Sequence, residues 1–232
     1  MSWREFWNGA HSIYVNERHG ALHYQGIARD ISALIPAPDA DVLDHGCGDA
    51  GSAGEVAARC GTLYLYDAAP NVQARLRTRF SHEPRVIVLS TPALEVLGAQ
   101  SLDLIVVNSL LQYLSVGEFE ALLDFWRGRL RAGGRLVIAD VISPDVSPAE
   151  DVKALLGFAW RGGFLIAACR GLVATFFSPY RKLRGEIGLT RYAPEDMLTL
   201  LAAHGFKGTR APRNIGHNQV RMTFTATPVN GG

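Results

Sequence analysis

Two carboxylates and three glycines form the part of this sequence whose residue types and spacing best suit ligand chemistry. Asp44 comes two residues before the first of the glycines, Gly46, Gly48 and Gly51, and Asp67 follows Gly46 by 21 residues. Glycines let a backbone turn tightly and approach a ligand closely, and a helix that begins after such a turn presents free N–H groups. At the carboxyl edge of a parallel sheet, a carboxylate can accept hydrogen bonds from both hydroxyls of a ribose. The pattern therefore predicts a nucleoside site, with adenosine as its usual occupant.

Two cofactors fit this pattern. The spacing Gly46-x-Gly48-x-x-Gly51 with Asp67 satisfies the dinucleotide fingerprint, which would make the chain an NAD-dependent oxidoreductase. A dinucleotide, however, places its pyrophosphate at the helix N-terminus, where Asp44 would sit poorly. S-adenosylmethionine (SAM) has no phosphate and carries an ammonium and a sulfonium, whose charges Asp44 can balance. This difference in charge favours SAM.

The elements that must position these residues alternate between strand and helix. Strands are predicted at 41–44, 62–66, 85–89, 102–107 and 135–141, and helices at 52–60, 70–80 and 116–131. Such alternation is typical of a mostly parallel sheet covered by helices on both faces. The continuously apolar stretches Leu104–Val107 and Leu136–Ala139 suit strands that are buried on both faces. Residues 2–35 are predicted helical with one break, and a helix at 194–204 precedes strands near 206–211 and 220–226.

Several ordered stretches resemble the class I SAM-dependent methyltransferases. Val42–Gly51 is similar to the first motif of that family, Tyr66–Asn71 to the second, Leu102–Leu114 to the fourth strand and the start of the next helix, and Leu130–Asp140 to the segment entering the fifth strand. The resemblance covers roughly residues 41–140 and, more loosely, the C-terminal third. It implies an α/β fold: a doubly wound, mostly parallel seven-stranded sheet with an antiparallel last strand, an N-terminal helical lid and a helical insertion after the fifth strand.

The resemblance also implies a set of cofactor contacts. Asp44 would lie near the methionine amino group, Asp67 would hold the ribose hydroxyls, and Asn108 would place its carbonyl near the methionine end. Gly46 and Gly48 would let the cofactor lie against the backbone. Ala68 would line the adenine. His45 and Cys47 lie inside the cofactor loop and are counted with the binding positions: His45 for a passive contact with the ligand, and Cys47 as a small buried packing residue whose thiol needs no role.

Two positions depart from the family pattern. The third glycine of the family falls at Ala50, with Gly51 one residue later, so the loop is expected to be slightly reshaped. The family often has an acid after the third strand for the adenine amine, whereas Ser90 and Thr91 stand here. A hydroxyl accepts that hydrogen bond more weakly than a carboxylate does. These departures leave open a non-catalytic, methyltransferase-like binding protein as a third reading.

No catalytic base is evident, but the N-terminal segment is rich in polar aromatic residues. It contains His11, Tyr14, His19, His23 and Tyr24. By the resemblance, N-terminal helices fold over the cofactor as a lid. Tyr14 and His19 are therefore the first candidates for contact with the lid or the substrate, although such residues more often only pack or form hydrogen bonds.

The apolar insertion at 144–190 is the clue to the acceptor. It allows three readings: a helical cap that buries its apolar residues on the sheet, an apolar wall for a hydrophobic acceptor, or a weak contact of residues 154–184 with a membrane surface, aided by the basic stretch 181–184. Arg161 and Arg170 would lie on opposite faces of an unbroken helix, which weakens a clean membrane face. They also argue against a spanning helix.

Composition narrows the partners and the compartment. The 232 residues are 48% hydrophobic and carry a net charge of +1, which suits a single domain with a sizeable core and disfavours a nucleic-acid partner. The three cysteines, Cys47, Cys60 and Cys169, suggest neither a disulfide framework nor a zinc site. No secretory signal pattern opens the chain, so the expected location is the cytoplasm, and no ligand cluster suggests a metal.

The predicted activity is SAM-dependent methyl transfer to a small or lipid-like hydrophobic acceptor at oxygen or carbon. The predicted domain is 1–232, with a lid at 1–36, a cofactor-binding core at 41–141, the insertion at 144–190 and a C-terminal part at 191–232. Asn108 is not followed by an Asn-Pro-Pro-Tyr-type motif, which by family analogy weakens amino-group methylation. Asp103 is predicted to be structural, and Asp140 either faces a pocket or caps a loop.

Overall fold

A seven-stranded sheet organises the described part of the chain. A computed structural model describes residues 3–9, 14–176 and 189–229. The strands, in chain order, are β1 Asp41–His45, β2 Thr62–Tyr66, β3 Val86–Val88, β4 Leu102–Asn108, β5 Leu130–Val141, β6 Phe206–Arg210 and β7 Met222–Pro228. Their order across the sheet is β3-β2-β1-β4-β5-β7-β6. β7 runs antiparallel to both of its neighbours, and the pairs from β3 to β5 are parallel. The predicted fold class is confirmed.

Helices cover both faces of this sheet. They are α1 Trp3–Asn8, α2 Glu17–Ser32, α3 Ala53–Ala57, α4 Pro70–Arg79, α5 Thr91–Glu95, α6 Val116–Arg129, α7 Pro148–Gly162, α8 Leu165–Phe176 and α9 Pro194–Ala203, with a 3-10 turn at Leu111–Tyr113. The sheet separates two apolar cores because side chains alternate along each strand. In β4, Leu104 packs with α2, α3 and α4, whereas Ile105 packs with α6 and α9.

The junction between α6 and β5 differs from the prediction. The helix ends at Arg129 rather than at residue 131, and the strand begins at once with Leu130, which pairs with Leu102. The register then shifts before Leu104 pairs with Arg135. Gly133, with φ of +78°, lies in this irregular stretch, where the left-handed backbone suits glycine. Gly133 and Gly134, which follow the predicted helix in the sequence, therefore lie near the start of a strand.

Two other helices differ from the predicted pattern. α3 spans only Ala53–Ala57 within the predicted range 52–60. α5 was not predicted, because it is a single short turn whose start is marked only by the N-cap Ser90 and by Pro92 in its first turn.

The insertion after β5 forms a helical pair that packs on α2. α7 begins with a capping box between Ser147 and Glu150 and ends at Gly163, whose φ is +71°. Ala159, Phe164 and Ala168 form a third apolar cluster, against which Leu22 of α2 packs. Within the described residues, α2 therefore completes the apolar cluster of this pair, and the cap on the sheet and the acceptor wall both stay predictions.

Part of the predicted insertion lies outside the described residues, including Phe177 and the basic stretch 181–184. Within the described ranges, no helix is long and apolar enough to cross a bilayer. Trp160, Ile166 and Val173 on α7 and α8 are exposed. A contact of this segment with a membrane surface stays a prediction.

Candidate active site

A cavity of about 350 Å³ lies at the carboxyl ends of β1, β2 and β4. Asp44, Asp67 and Asn108 line it, each at or just beyond the end of its strand. The chain crosses the sheet in opposite directions from β1, towards β2 on one side and towards β4 on the other. Ligands of open α/β sheets bind at such switch points, and the volume suits a small-molecule site.

The glycine turn after β1 forms one wall of this cavity. The N–H groups of Gly46 and Cys47 donate to the carbonyl of Tyr66 at 2.7 and 3.1 Å, which holds the turn against β2. Gly46 has a φ of +82°, and a Cβ placed there would lie 3.0 Å from Leu110 Cδ2. Only glycine satisfies both constraints without strain. Ala50, where the family pattern has a glycine, also adopts a positive φ of +43°, so this turn holds an alanine in a conformation that favours glycine.

Asp67 ties the second strand to the glycine turn. Its Oδ2 accepts a hydrogen bond from the Gly48 N–H at 3.1 Å, and its Oδ1 accepts one from the Ala69 N–H at 2.8 Å. Burial raises the pKa of this carboxyl even though both backbone N–H groups favour the ionised form. Each oxygen retains a second acceptor position, so the side chain can still receive the hydroxyls of a ribose.

Asp44 is the second carboxyl of the cavity and the more perturbed of the two. Burial, and then the nearby Asp67, raise the pKa of Asp44 to about 7. The charged form is disfavoured because it lies among apolar strand residues and close to another acid. A cation in the cavity would reverse this effect, so the pair suits a positively charged ligand better than a pyrophosphate.

Helix α2 closes the glycine turn from above through Tyr24, which lines the cavity. A Cβ on Gly51 would lie 2.8 Å from Tyr24 Cδ2, so the absence of a side chain at Gly51 lets this ring pack on the turn. Burial raises the pKa of the Tyr24 hydroxyl to about 12. The family pattern has its third glycine at position 50, whereas this chain has it at position 51. The packing of Tyr24 on the turn explains why a glycine is needed at position 51.

Helix α1 supplies two indole rings to the cavity wall. Trp3 stacks on Tyr113 with ring centroids 6.2 Å apart, and Trp7 meets the same ring edge-on at 5.8 Å. Asn8, at the end of α1, accepts a hydrogen bond at 2.8 Å from the backbone N–H of Asn71 in the first turn of α4. The predicted N-terminal lid is thus present as α1 and α2, but its tryptophans were not singled out from the sequence.

His45 does not line the cavity, which corrects the prediction of a ligand contact for its side chain. Side chains alternate along β1, so Asp44 and His45 point to opposite faces. The buried His45 packs on Tyr66 and Trp126, and its Nδ1 accepts a hydrogen bond from the Trp126 indole N–H at 3.3 Å. Burial lowers the pKa of His45 to about 3, so the ring is neutral.

Three predicted adenine contacts also lie outside the cavity lining: Ala68, Ser90 and Thr91. The Ser90 hydroxyl accepts a hydrogen bond from the Ala93 N–H at 3.4 Å and caps α5. The Thr91 hydroxyl lies 3.3 Å from the Tyr66 hydroxyl. Both hydroxyls therefore have structural partners, and the structure does not bring them to the cavity.

Of the two catalytic candidates, Tyr14 and His19, only Tyr14 lies at the cavity. Tyr14 lines the cavity, and burial beside Tyr24 raises the pKa of its hydroxyl well above the usual value. His19 is not among the lining residues. Its Nδ1 accepts a hydrogen bond from the Val15 N–H at 3.3 Å and its ring stacks on Phe164 at 5.0 Å. His19 thus joins α2 to the insertion, and His11 lies outside the described residues.

A second cavity, of about 200 Å³, adjoins the first. Asn108, Ser109 and Asp140 line both cavities. The Ser109 hydroxyl donates to Asp140 Oδ2 at 2.8 Å, and both residues have a positive φ, +59° and +61°. Strained backbone of this kind is common at functional sites, and Asp140, left open by the sequence, faces a pocket.

Other residues of the second cavity could not be found from the sequence. His217 and Arg221 line it from the segment between β6 and β7, together with His23 of α2. They are far apart in the chain and carry no motif, so nothing in the sequence linked them to the glycine turn.

Comparison with known proteins first defines a class. A methyltransferase bound to the Trm112 activator in a complex from Haloferax volcanii matches with a TM-score of 0.60 at 12% identity, covering 99% of each chain. Magnesium protoporphyrin IX methyltransferase (ChlM) from Synechocystis PCC 6803 with bound SAM matches at 0.58 and 14%, covering 97% of this chain and 89% of that one. N-methyltransferase NodS from Bradyrhizobium japonicum WM9 with S-adenosylhomocysteine matches at 0.56 and 20%, covering 93% and 89%. The chain has the fold of the class I methyltransferases.

The sequence comparison then identifies the cofactor-binding part. Residues 42–134, from β1 to the start of β5, match the family described as "Methyltransferase domain". The comparison with curated protein sequences gives no significant match. The resemblance seen in the sequence is thus supported over this part of the chain, which is similar to a methyltransferase domain and lies within a class I methyltransferase fold. The residues present fit SAM as the cofactor, because Asp44 suits a cation and Asp67 suits a ribose.

Proposed function

We propose that this protein transfers a methyl group from SAM to a small hydrophobic acceptor, at oxygen or carbon. The observation that carries the proposal is the pairing of two walls in one cavity. One wall holds the buried carboxyls of Asp44 and Asp67 around the glycine turn, and the other holds apolar and aromatic side chains such as Trp7 and Ile27. A cationic nucleoside suits the first wall, and an apolar acceptor suits the second.

Each residue of the acidic wall has a role in this proposal. Asp44 binds the methionine ammonium, and Asp67 accepts the ribose hydroxyls while it holds the Gly48 N–H. Gly46, Gly48 and Cys47 let the cofactor lie along the backbone of the turn. The carbonyl of Asn108, at the end of β4, lies near the methionine end.

Methyl transfer needs alignment more than it needs acid or base, because the bound cofactor supplies a methyl group already activated by its sulfonium. The chain contributes by binding and orienting both reactants. α1 and α2 cover the cavity, and their aromatic rings exclude water from it. A hydroxyl or acidic carbon then requires only a group that receives its proton.

The strand order argues against the NAD-dependent alternative. Dinucleotide-binding sheets have the order 3-2-1-4-5-6, whereas here the antiparallel β7 lies between β5 and β6. The structural relatives are named for acceptors as different as a porphyrin and an amine. The acceptor class proposed here therefore rests on the apolar lining of this cavity alone.

Calorimetric titration of the protein with SAM, S-adenosylhomocysteine and NADH tests the proposal. We expect binding of the first two and none of NADH. Binding of NADH alone would establish the oxidoreductase reading. No detectable binding of any of the three ligands would favour a non-catalytic, methyltransferase-like binding protein.

A further inference from the structure

Buried polar atoms without a partner are concentrated at the second cavity. Among the described residues, six buried side-chain nitrogen or oxygen atoms have no hydrogen-bond partner. Four of them belong to residues that line this cavity: His23 Nδ1, Asn108 Oδ1, His217 Nδ1 and Arg221 Nη1; of these residues, all but His217 also border the first cavity. Buried polar groups in proteins are nearly always paired. Their clustering here indicates that a ligand supplies the missing partners.

Arg221 and the two histidines bring no unbalanced charge to this cavity, and the Asp140 carboxyl accepts a hydrogen bond from the Ser109 hydroxyl at 2.8 Å. Asp151 accepts hydrogen bonds from Arg221 Nε at 3.0 Å and Nη2 at 2.6 Å, so the guanidinium charge is balanced and Nη1–H remains as a donor. Burial, followed by the other imidazoles nearby, lowers the pKa of His23 to about 3, and burial with His19 and Arg161 nearby lowers that of His217 to about 4. Both rings are therefore neutral at physiological pH, and the cavity offers uncharged imidazoles beside one N–H donor.

Ring packing contributes to holding these imidazoles in place and leaves their Nδ1 atoms without a partner. Phe158 stacks on His217 with centroids 4.2 Å apart and planes 14° from parallel, and His217 meets His23 edge-on at 5.7 Å. The space is smaller than the 300 Å³ or more that drug-sized ligands need. Two flat imidazole rings in the lining and this size suit a compound of one ring.

The cavity is also in the right place for an acceptor. It meets the first cavity along six shared residues: Asn108, Ser109 and Asp140 at the ends of β4 and β5, with His23, Ile27 and Arg221. This is the end of the cofactor site that the proposed function assigns to methionine, next to the reactive methyl group.

We propose that the second cavity receives the hydroxyl end of the methyl acceptor, whose apolar body lies on the apolar wall of the first cavity, and that it selects a small planar hydroxy compound, a phenol or an enol. This inference rests on the proposed function and assigns the transfer to oxygen. A hydroxyl both donates and accepts, so it can give its hydrogen to the imidazole of His23 or His217 and accept the Nη1–H of Arg221. A hydrocarbon pairs neither group, and an aromatic amine is a poor acceptor for the arginine.

In the proposed methyl transfer, the cavity residues account for the proton that the acceptor hydroxyl loses. The acceptor oxygen forms a bond to the methyl carbon as the carbon–sulfur bond breaks, and that electron pair stays on sulfur as the thioether. The hydroxyl proton passes to an imidazole nitrogen and then to water. A weakly basic imidazole is sufficient, because the O–H becomes that of a protonated ether as the methyl arrives and is then far more acidic than an imidazolium.

Binding of three matched probes tests this inference without relying on turnover. 4-Methylphenol, 4-methylaniline and toluene are titrated calorimetrically into the protein saturated with S-adenosylhomocysteine. We expect 4-methylphenol to bind about tenfold or more tightly than toluene, with 4-methylaniline closer to toluene. The variant His217→Phe keeps a ring to stack on Phe158. It should weaken the binding of 4-methylphenol about tenfold and leave the binding of toluene unchanged.

Controls separate the possible failures. Arg221→Lys keeps a cation beside Asp151 but removes the planar guanidinium group. It should also weaken the binding of 4-methylphenol selectively. His82→Phe, at an exposed histidine beyond α4, should change nothing. Equal binding of the three probes, no binding of any of them, or no effect of either cavity variant overturns the inference while S-adenosylhomocysteine still binds. Loss of S-adenosylhomocysteine binding by the unaltered protein would instead contradict the proposed function.

Discussion

Asp44 shows at the scale of one residue how a binding site can weaken the fold that carries it. Its pKa is raised to about 7 by burial and by Asp67, whereas an exposed aspartate titrates near 3.8. Above pH 7 the folded protein must therefore hold a charge that the unfolded chain carries more easily. A cation in the cavity removes this penalty, so the carboxyl is adapted to the complex rather than to the free protein.

Replacing Asp44 by asparagine should separate binding from stability. At pH 8 we expect Asp44→Asn to weaken SAM about tenfold or more and to raise the free energy of unfolding of the ligand-free protein by about 1 kcal/mol or more. The gain should disappear near pH 4, where the carboxyl is protonated in the folded state. Calorimetry and urea denaturation at the two pH values measure both effects.

Asp39→Asn is the matched control, since Asp39 is exposed just before β1. It should change neither quantity. Undiminished SAM affinity in Asp44→Asn would remove the role proposed for this carboxyl.

The packing of Tyr24 on Gly51 gives a second residue-scale test. In Gly51→Ala the new Cβ would lie 2.8 Å from the Tyr24 ring, so the ring or the turn must move. We expect a loss of about 1–3 kcal/mol in stability and weaker binding of S-adenosylhomocysteine. Gly54→Ala, three residues on in α3, meets nothing within 4 Å and should be neutral or slightly stabilising. If thermal denaturation and calorimetry show the same behaviour for both variants, Tyr24 does not depend on the bare turn.

At the scale of elements, α1 completes the cavity wall and should contribute to cofactor affinity. Trp7 lines the cavity and packs on Tyr113, so Trp7→Ala opens the site to water. We expect S-adenosylhomocysteine to bind at least about fivefold more weakly, with a small change in stability because α1 is short. Trp160→Ala on α7 removes an exposed indole and serves as the control. Equal affinities of the two variants in calorimetry would show that α1 is not part of the site.

The sequence predicted the strands, helices and turns that have local patterns. It did not predict contacts between residues that are far apart in the chain. The apolar strands and the glycine turn were predictable, because burial on both faces and tight turns each require particular residue types. α5 has too few residues for a period. His45 was misplaced although the information was present: if Asp44 faces the cavity, the next side chain along the strand must face away. His217 and Arg221 reach the site only through the fold.

At the scale of the whole molecule, buried histidines should make the protein sensitive to acid. Burial lowers the pKa of four of them, His19, His23, His45 and His217. Between about pH 6.5 and 4 the unfolded chain binds protons at these side chains that the folded protein does not, so stability falls as the pH falls. The raised pKa values of Asp44 and Asp67 act in the opposite direction over the same range but involve fewer groups.

The sum of these opposing effects predicts that the free energy of unfolding falls by roughly 1–3 kcal/mol for each pH unit as the pH is lowered from 6.5 to 5. Urea denaturation at closely spaced pH values measures it. His45→Gln should reduce the slope, whereas His82→Gln, at an exposed site, should not. A flat profile in this range would mean that the buried imidazoles accept protons without unfolding.

The position of α2 beneath the insertion has a consequence for the reaction cycle. α2 presents Tyr24 to the first cavity and His23 to both cavities, and it also packs against the α7–α8 pair through Leu22 and His19. Because one helix forms part of both walls, a movement that lifts it uncovers both cavities together. If the first cavity holds the cofactor and the second receives the acceptor, as proposed, the demethylated cofactor and the methylated product share one exit, and the departure of each depends on the same opening.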